Sequence, residues 1–453
     1  MIKPASKDSK QPQDETAVTD TLDGEYNPFE HRNVPHPTTD TETLIHLIKG
    51  CLGTGLLAMP AAFMSSGLLF GLVATFFIGC ICAYSIHILV KCAHKLCKRL
   101  RVPSLGIDDI AEVAFRSGPP SMREFASSAR FIVNLFLVLD LLGCCCVYIV
   151  FVAKNTKQVL DVDLDNKLDL RLYIVALLPF LIITNLIPHL KYLAPFSMLA
   201  NILMATGLCI TFYYIFQDLP SITSRQNFSS LNQLPIFFGF AIFALEGIGV
   251  VMPLENNMKT PTHFIGCPGI LNTGMFVVVM VYSSVGFFGY LKYGDATEPS
   301  ITLNLPHTTL ARSVKVMIAV AIFLTYSLQF HIPIEIIWKG VKHKFANHLV
   351  LGECCVRVVF VTITVLVAVL IPHLGPFISL VGAVCLSFLG LMLPSIVEII
   401  VYWGSEEGLG TGNWILWKNL AIILFGFIGF FTGSYTSIVA IIEKHQRINL
   451  TGG

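Results

Sequence analysis

Eleven runs of apolar residues, each close to the length that crosses a bilayer, restrict this chain more than anything else in it. They fall at 44–66, 68–90, 131–153, 172–187, 196–216, 235–256, 270–291, 312–338, 356–371, 377–402 and 414–441. A hydrocarbon layer of ~30 Å takes about 20 helical residues. Inside it every backbone group needs an internal partner, so such runs become helices. Charged residues make up 13% of the chain, about half the ~25% of soluble domains. The class that follows is an all-α polytopic membrane protein. A net charge of +1 excludes a global nucleic-acid surface. No phosphate loop, metal-ligand set or catalytic triad spacing is found, so no enzyme, metal or cofactor is expected.

Lysine and arginine orient the spans. With the N-terminus in the cytosol, the inside segments hold twenty of the 30 basic residues and the outside segments ten. The run Lys91, Lys95, Lys98, Arg99, Arg101 anchors this orientation. Residues 1–43 are polar and read as a disordered cytosolic tail with no cleavable signal peptide. The C-terminal residues 442–453 fall outside. The sequon at Asn227 lies in an outside loop and is a glycosylation candidate. The one at Asn449 sits almost at the chain end. None of the 13 cysteines lies in an outside loop, so no structural disulfide is implied, and Cys144 to Cys146 read as small-residue helix packing.

The first run carries a fault. Gly50, Gly53, Thr54 and Gly55 separate an apolar half at 44–49 from another at 56–63. Three glycines so close each weaken a helix by roughly 1 kcal/mol relative to alanine. A helix opened within a membrane survives where it lines a cavity or is buried in protein. The alternative for such glycines is a helix-packing face. The sixth run repeats the pattern: Glu246, Gly247 and Gly249 interrupt it, and Pro253 completes the break. Runs one and six each open a set of five, and an odd number of spans inverts the second set. That is a five-plus-five inverted repeat at 44–216 and 235–402, with an eleventh helix at 414–441, and with both first helices broken near the midplane, where transporters place substrate.

The stretches His46 to Leu57, Glu246 to Asn256, Ser300 to Pro306 and Lys191 to Ser197 together resemble the proton-coupled amino acid transporters, over about residues 25–445. The resemblance implies a leucine-transporter-type fold with discontinuous helices 1 and 6, and symport of small neutral amino acids such as glycine, alanine and proline with protons. It also implies a plasma-membrane or late endosomal and lysosomal address and a growth-signalling partner. A low-flux amino-acid sensor and sodium-coupled or uncoupled transport are the alternatives. Hydroxyls on span eight, Thr325 and Ser327, with Gln329, keep sodium open.

By analogy with that fold, the N–H groups at Gly53, Thr54 and Gly55 suit the substrate carboxylate, because a helix N-terminus is electropositive. Carbonyls around Gly50, Cys51 and Leu245 suit its ammonium, with Glu246, Gly247 and Gly249 completing the site. Cys51 stands where an asparagine is expected in vertebrate relatives. The proton needs a titrating group. His46, the one histidine of span one, has an unperturbed pKa near 6.5 and matches a family histidine linked with coupling. Glu246 and Asp140 lie deep in spans, where a carboxylate marks function by default. Glu398 and Glu335 read as partners of inside basic residues. Tyr26 and Phe29 in the tail have the tyrosine–bulky-residue spacing read by sorting adaptors.

Overall fold

The structure is a computed structural model describing residues 26–161, 168–186, 190–245, 247–345, 348–403 and 408–451, with 190–195 and 447–451 as backbone. Almost all of these residues are helical. The helices are α1 (Asp40–Cys51), α2 (Thr54–Ser66), α3 (Leu68–Leu100), α4 (Ile107–Ser117), α5 (Pro120–Arg123), α6 (Ala126–Leu160), α7 (Leu170–Ala176), α8 (Leu178–Asn185), α9 (Leu190–Phe216), α10 (Leu234–Leu245), α11 (Ile248–Asn256), α12 (Ile270–Tyr293), α13 (Thr309–Val341), α14 (Leu349–Leu370), α15 (Leu374–Val381), α16 (Leu393–Trp403) and α17 (Trp414–Thr451). A π-helical stretch, Gly382–Met392, joins α15 to α16.

Nine described helical runs are long and apolar enough to cross a membrane, ten with α1 and α2 counted as one bent span. The expected run at 172–187 is the shorter pair α7 and α8. Pro179 enters the first turn of α8, where its missing N–H costs no intrahelical bond. α17 continues to Thr451, so the expected tail after 441 is helical over most of its length.

Local chemistry sets the helix ends. α1 starts with a capping box: the Thr39 hydroxyl accepts from the Glu42 N–H at 3.3 Å, and the Glu42 carboxylate accepts from the Thr39 N–H at 2.9 Å. It stops at Leu52, whose extended backbone (φ −82°, ψ 94°) breaks the ladder. α2 begins after Gly53 and departs from α1 at 53°. It is buried along nearly its whole length, packed between α10 and α12. The α2–α10 approach is so close that a Cβ on Gly55 would stand 2.7 Å from Ala244 Cα.

The N-terminal segment corrects one expectation. Residues 26–43 are not a free tail. Thr38 N–H donates to Asn257 O, and Lys259 N–H to Thr38 O, both at 2.9 Å. Asp40 accepts from the Thr260 hydroxyl at 2.7 Å and faces His263 at 2.8 Å. Arg32 donates through Nε to Pro103 O at 2.8 Å and through Nη1 to Glu255 O at 3.0 Å. Its Nη2 lies 3.0 Å from Glu255 Oε1, which His94 Nε2 also meets at 2.7 Å. Composition alone reads this stretch as polar and unstructured; partners more than two hundred positions away order it. Phe29 of the sorting-like motif packs edge-on against His94 at 4.9 Å, and Tyr26 stacks on His31 at 4.6 Å.

At the other face, His373 sits between α14 and α15. Burial, and then the charges of Lys154, Lys444, His445 and Arg171, push its imidazole down to about 4. An unfolded histidine titrates near ~6.5. The unfolded chain therefore takes up this proton first as pH falls, and stability is lost from about 6.5 toward 4. His373→Gln is expected to keep more of its melting temperature across that window than the unaltered protein does. Parallel acid limbs in the two melting profiles would refute this.

Candidate functional site

A cavity of about 700 Å³ lies where α1 meets α2 and α10 meets α11, walled also by α6, α12 and α13. It opens on the face that carries α4, past Asp108, Arg130, Glu335 and Lys339. Toward the opposite ends of α6 and α13 a short turn is packed in. Ile301–Asn304 form a 3-10 turn whose first three residues are buried. Gln158 Nε2 donates to Leu303 O at 3.2 Å, and the buried Lys315 Nζ donates to Leu305 O at 3.1 Å.

Gly50, Cys51, Gly53, Thr54, Gly55, Gly247, Gly249 and Asp140 all line this space. Leu245 is buried and outside the lining; its neighbours Ala244 and Gly247 form the wall instead. Glu246 lies outside the described residues. His46 is exposed, one turn before Gly50 on α1, and does not line the cavity. Of the span-eight polar residues, Gln329 lines the cavity. The Thr325 hydroxyl donates back to Ala321 O at 2.8 Å in its own helix.

The glycines do different things. A Cβ on Gly53 would meet only Tyr148 Oη, at 3.9 Å. A Cβ on Gly249 would meet nothing within 4 Å. One on Gly247 would stand 2.8 Å from Cys51 Sγ. Gly53 borders open space in the cavity, whereas Gly55 makes room for Ala244. If the cavity holds the substrate, Gly53→Ala is expected to fold normally and lose most substrate binding, and Gly55→Ala to lower the melting temperature or the folded yield. Equal behaviour of the two in thermal unfolding and ligand binding would contradict the assignment.

Electrostatically the pocket has two ends. The first turn of α2 leaves N–H groups without intrahelical acceptors and carries the positive end of the helix dipole. Asp140, 6% exposed on α6, supplies a carboxylate. Tyr282 and Tyr148, which the sequence did not single out, complete the wall. Tyr282 Oη donates to Cys51 O at 2.5 Å and thereby holds the broken end of α1. At the mouth Arg130 is engaged by Asp108 at 3.2 Å, Asp109 at 3.0 Å and Glu112 at 2.7 Å. Glu335 pairs with Lys339 at 2.9 Å and, far from the cavity, Glu398 with Lys418 at 2.7 Å. None of the thirteen cysteines is joined in a disulfide among the described residues. No group of three or more potential metal ligands occurs among the described residues.

An all-helical membrane bundle with a cavity between two interrupted helices defines a secondary transporter fold. Residues 36–439 match the family described as transmembrane amino acid transporter protein, and the chain belongs to it. It is 47% identical over 424 residues to the proton-coupled amino acid transporter-like protein pathetic of Drosophila melanogaster, covering 93% of this chain and 89% of that one. It is 27% identical over 426 residues to the probable amino acid transporter skat-1 of Caenorhabditis elegans, covering 90% and 91%. Among solved structures it resembles the inward-facing conformation of Mhp1, with TM-score 0.57 and 13% identity over 93% of this chain and 92% of that one. The closed conformation of Mhp1, a nucleobase-cation-symport-1 family transporter with bromovinylhydantoin bound, gives 0.51 and 15% over 95% and 96%. These likenesses give a leucine-transporter-type fold.

Proposed function

We propose that this transporter moves a small neutral amino acid together with a proton by alternating access. The observation that carries the proposal is the cavity at the two helix breaks, where the N-terminus of α2 faces a space that also holds one buried carboxylate, Asp140. A zwitterion fits that pair of ends. Its carboxylate meets the N–H groups at Gly53, Thr54 and Gly55, and its ammonium meets the carbonyl edge at Gly50 and Cys51. Cys51 beside Gly247, with Tyr148 and Tyr282, leaves room for a modest side chain.

Asp140 is the described proton-site candidate inside the cavity, and it is favoured here over His46, which stands outside. The Drosophila relative's name includes proton coupling, and Thr325 turns its hydroxyl back to its own helix; both support protons over sodium. The two halves form an inverted repeat, the face bearing α4 is cytosolic, and the conformation is open to that side. The membrane is the plasma membrane or that of late endosomes and lysosomes. An adaptor reading Tyr26 and Phe29 would first have to lift Phe29 off His94.

Purified protein in liposomes tests the main reading. Glycine, alanine or proline should accumulate against its gradient when the proton gradient points inward, and sodium should be dispensable. Uptake indifferent to an imposed pH gradient would refute proton coupling. The orientation has its own test. Asn227 is exposed, its carbonyl accepting from Phe70 N–H at 3.0 Å. Asn227→Gln is expected to abolish a glycosidase-sensitive mobility shift of the protein made in insect cells. A shift that survives in the variant would contradict this placement.

A further inference from the structure

Three buried charges in this chain lie against opposite ones. Glu255 meets Arg32 at 3.0 Å, Arg357 meets Glu353 at 2.6 Å, and Glu398 meets Lys418 at 2.7 Å. Lys315 on α13 departs from that pattern. It is 1% exposed, forms no salt bridge among the described residues, and donates through Nζ to one acceptor, Leu305 O. We propose that Lys315 acts as a spring under the turn Ile301–Asn304. It biases the protein toward lifting that turn, and so toward opening the end of the bundle away from the cavity mouth.

The turn is a self-contained piece. Asn304 Nδ2 donates to Ala296 O at 2.7 Å, and its Oδ1 accepts from the Glu298 N–H at 2.8 Å. The Leu303 N–H donates to Ser300 O at 3.0 Å. The turn packs against α2, α6 and α13, so it ties the second half of the broken first span to the long α6–α13 pair. Around it α6 and α13 hold polar groups with unmet hydrogen bonds. An ammonium group has three N–H donors, and Lys315 uses one. Gln158 Nε2 reaches Leu303 O at 3.2 Å. The Oε1 of Gln158, and the Oδ1 of Asn155 one turn earlier on α6, have no partner among the described residues. The carboxylate of Glu298, beside the turn, acts on Lys154 of α6 instead of on Lys315.

Sealing a charged amine from water with one hydrogen bond is unfavourable. An apolar side chain of similar length in such a place is often neutral or stabilising. The penalty lasts only while the turn is down. Lys315 lies ~9 Å inside the Thr309 end of α13, at 1.5 Å of rise per residue, so a small movement there wets it. Lifting the turn lets water reach the ammonium and the two amide oxygens. The open form gains the hydrogen bonds that the closed form lacks. A secondary transporter opens to each side in turn, and its two forms have to lie close in free energy. Apolar packing of the buried turn favours the shut form, and Lys315 offsets it. The inference uses the transporter class alone and is independent of the substrate and of the coupling ion.

Hydrogen–deuterium exchange of the purified full chain in lipid nanodiscs tests it. The Leu303 and Leu305 amides are both bonded inside the turn, so their exchange reports its opening. Lys315→Met should slow that exchange about tenfold, the factor that ~1.4 kcal/mol represents, and leave the melting temperature equal or higher. Lys315→Gln keeps a donor for Leu305 O without the charge. It should slow exchange as well, and it carries the test if the methionine variant does not fold. Lys315→Arg keeps the charge and should exchange like the unaltered protein. An amine that merely anchors the turn predicts the opposite sign, because losing its bond to Leu305 O would loosen the turn. Faster or unchanged exchange in Lys315→Met and Lys315→Gln, or equal slowing in Lys315→Arg, would overturn the proposal.

Discussion

Asp140→Asn is expected to abolish pH-driven accumulation: the inside-to-outside substrate ratio should fall to about one while the protein stays folded. The physical reason is the position of the carboxylate. It is buried in the cavity wall with the helix breaks, where moving a charge costs far more than at the surface. A proton bound there and released to the other side converts a pH difference into work on the substrate. An amide of the same shape keeps the packing and removes that cycle. Where the carboxylate also meets the substrate ammonium, losing a hydrogen bond between charged groups costs ~1.5–3 kcal/mol, roughly 10- to 150-fold in half-saturating concentration. Asp140→Glu should retain part of both effects. Counterflow and gradient-driven uptake in the same liposomes separate them, because counterflow needs binding and alternating access and no net proton movement. A variant that still accumulates substrate under a proton gradient would move the coupling site elsewhere, with Glu246 next in line.

Arg32→Ala should be the most destabilising single change at the α4 face, by about 3–5 kcal/mol. Glu255 is fully buried, and Arg32 is 5% exposed. Removing the guanidinium leaves a carboxylate in the interior with the His94 ring, 2.7 Å away, as its remaining side-chain partner. Arg32→Ala with Glu255→Gln should cost less than the sum of the single changes, since the second removes the charge the first strands. Thermal unfolding of the four proteins checks this; strict additivity would mean that the two side chains act separately.

The sequence carried the helical class and the break in the first span because both are local. Apolar runs report burial in lipid directly, and Gly50, Gly53 and Gly55 report a weak helix directly. Tyr282 was not legible. A tyrosine in an apolar span reads as one more buried aromatic, and its acceptor, Cys51 O, is 231 positions away on another helix. The ordered segment before α1 was missed for a related reason. Polar composition predicts disorder when no partner is known, and Glu255, Asn257 and Thr260 cannot be matched to Arg32, Thr38 and Asp40 without the fold. His46 is the reverse case. Its residue type and place in the sequence suited proton transfer, yet the turn between it and Gly50 carries it out of the cavity. Asp140, the carboxylate with least support from the resemblance, is the buried one among the described carboxylates that line the cavity.

The pairing of Thr38 with Asn257 and Lys259, and of Asp40 with Thr260 and His263, bolts the head of α1 to the foot of α11. Two half-helices that could have swung separately become a single lever with one hinge zone at each break. Anything that grips the N-terminal segment from the aqueous side then has mechanical purchase on both at once.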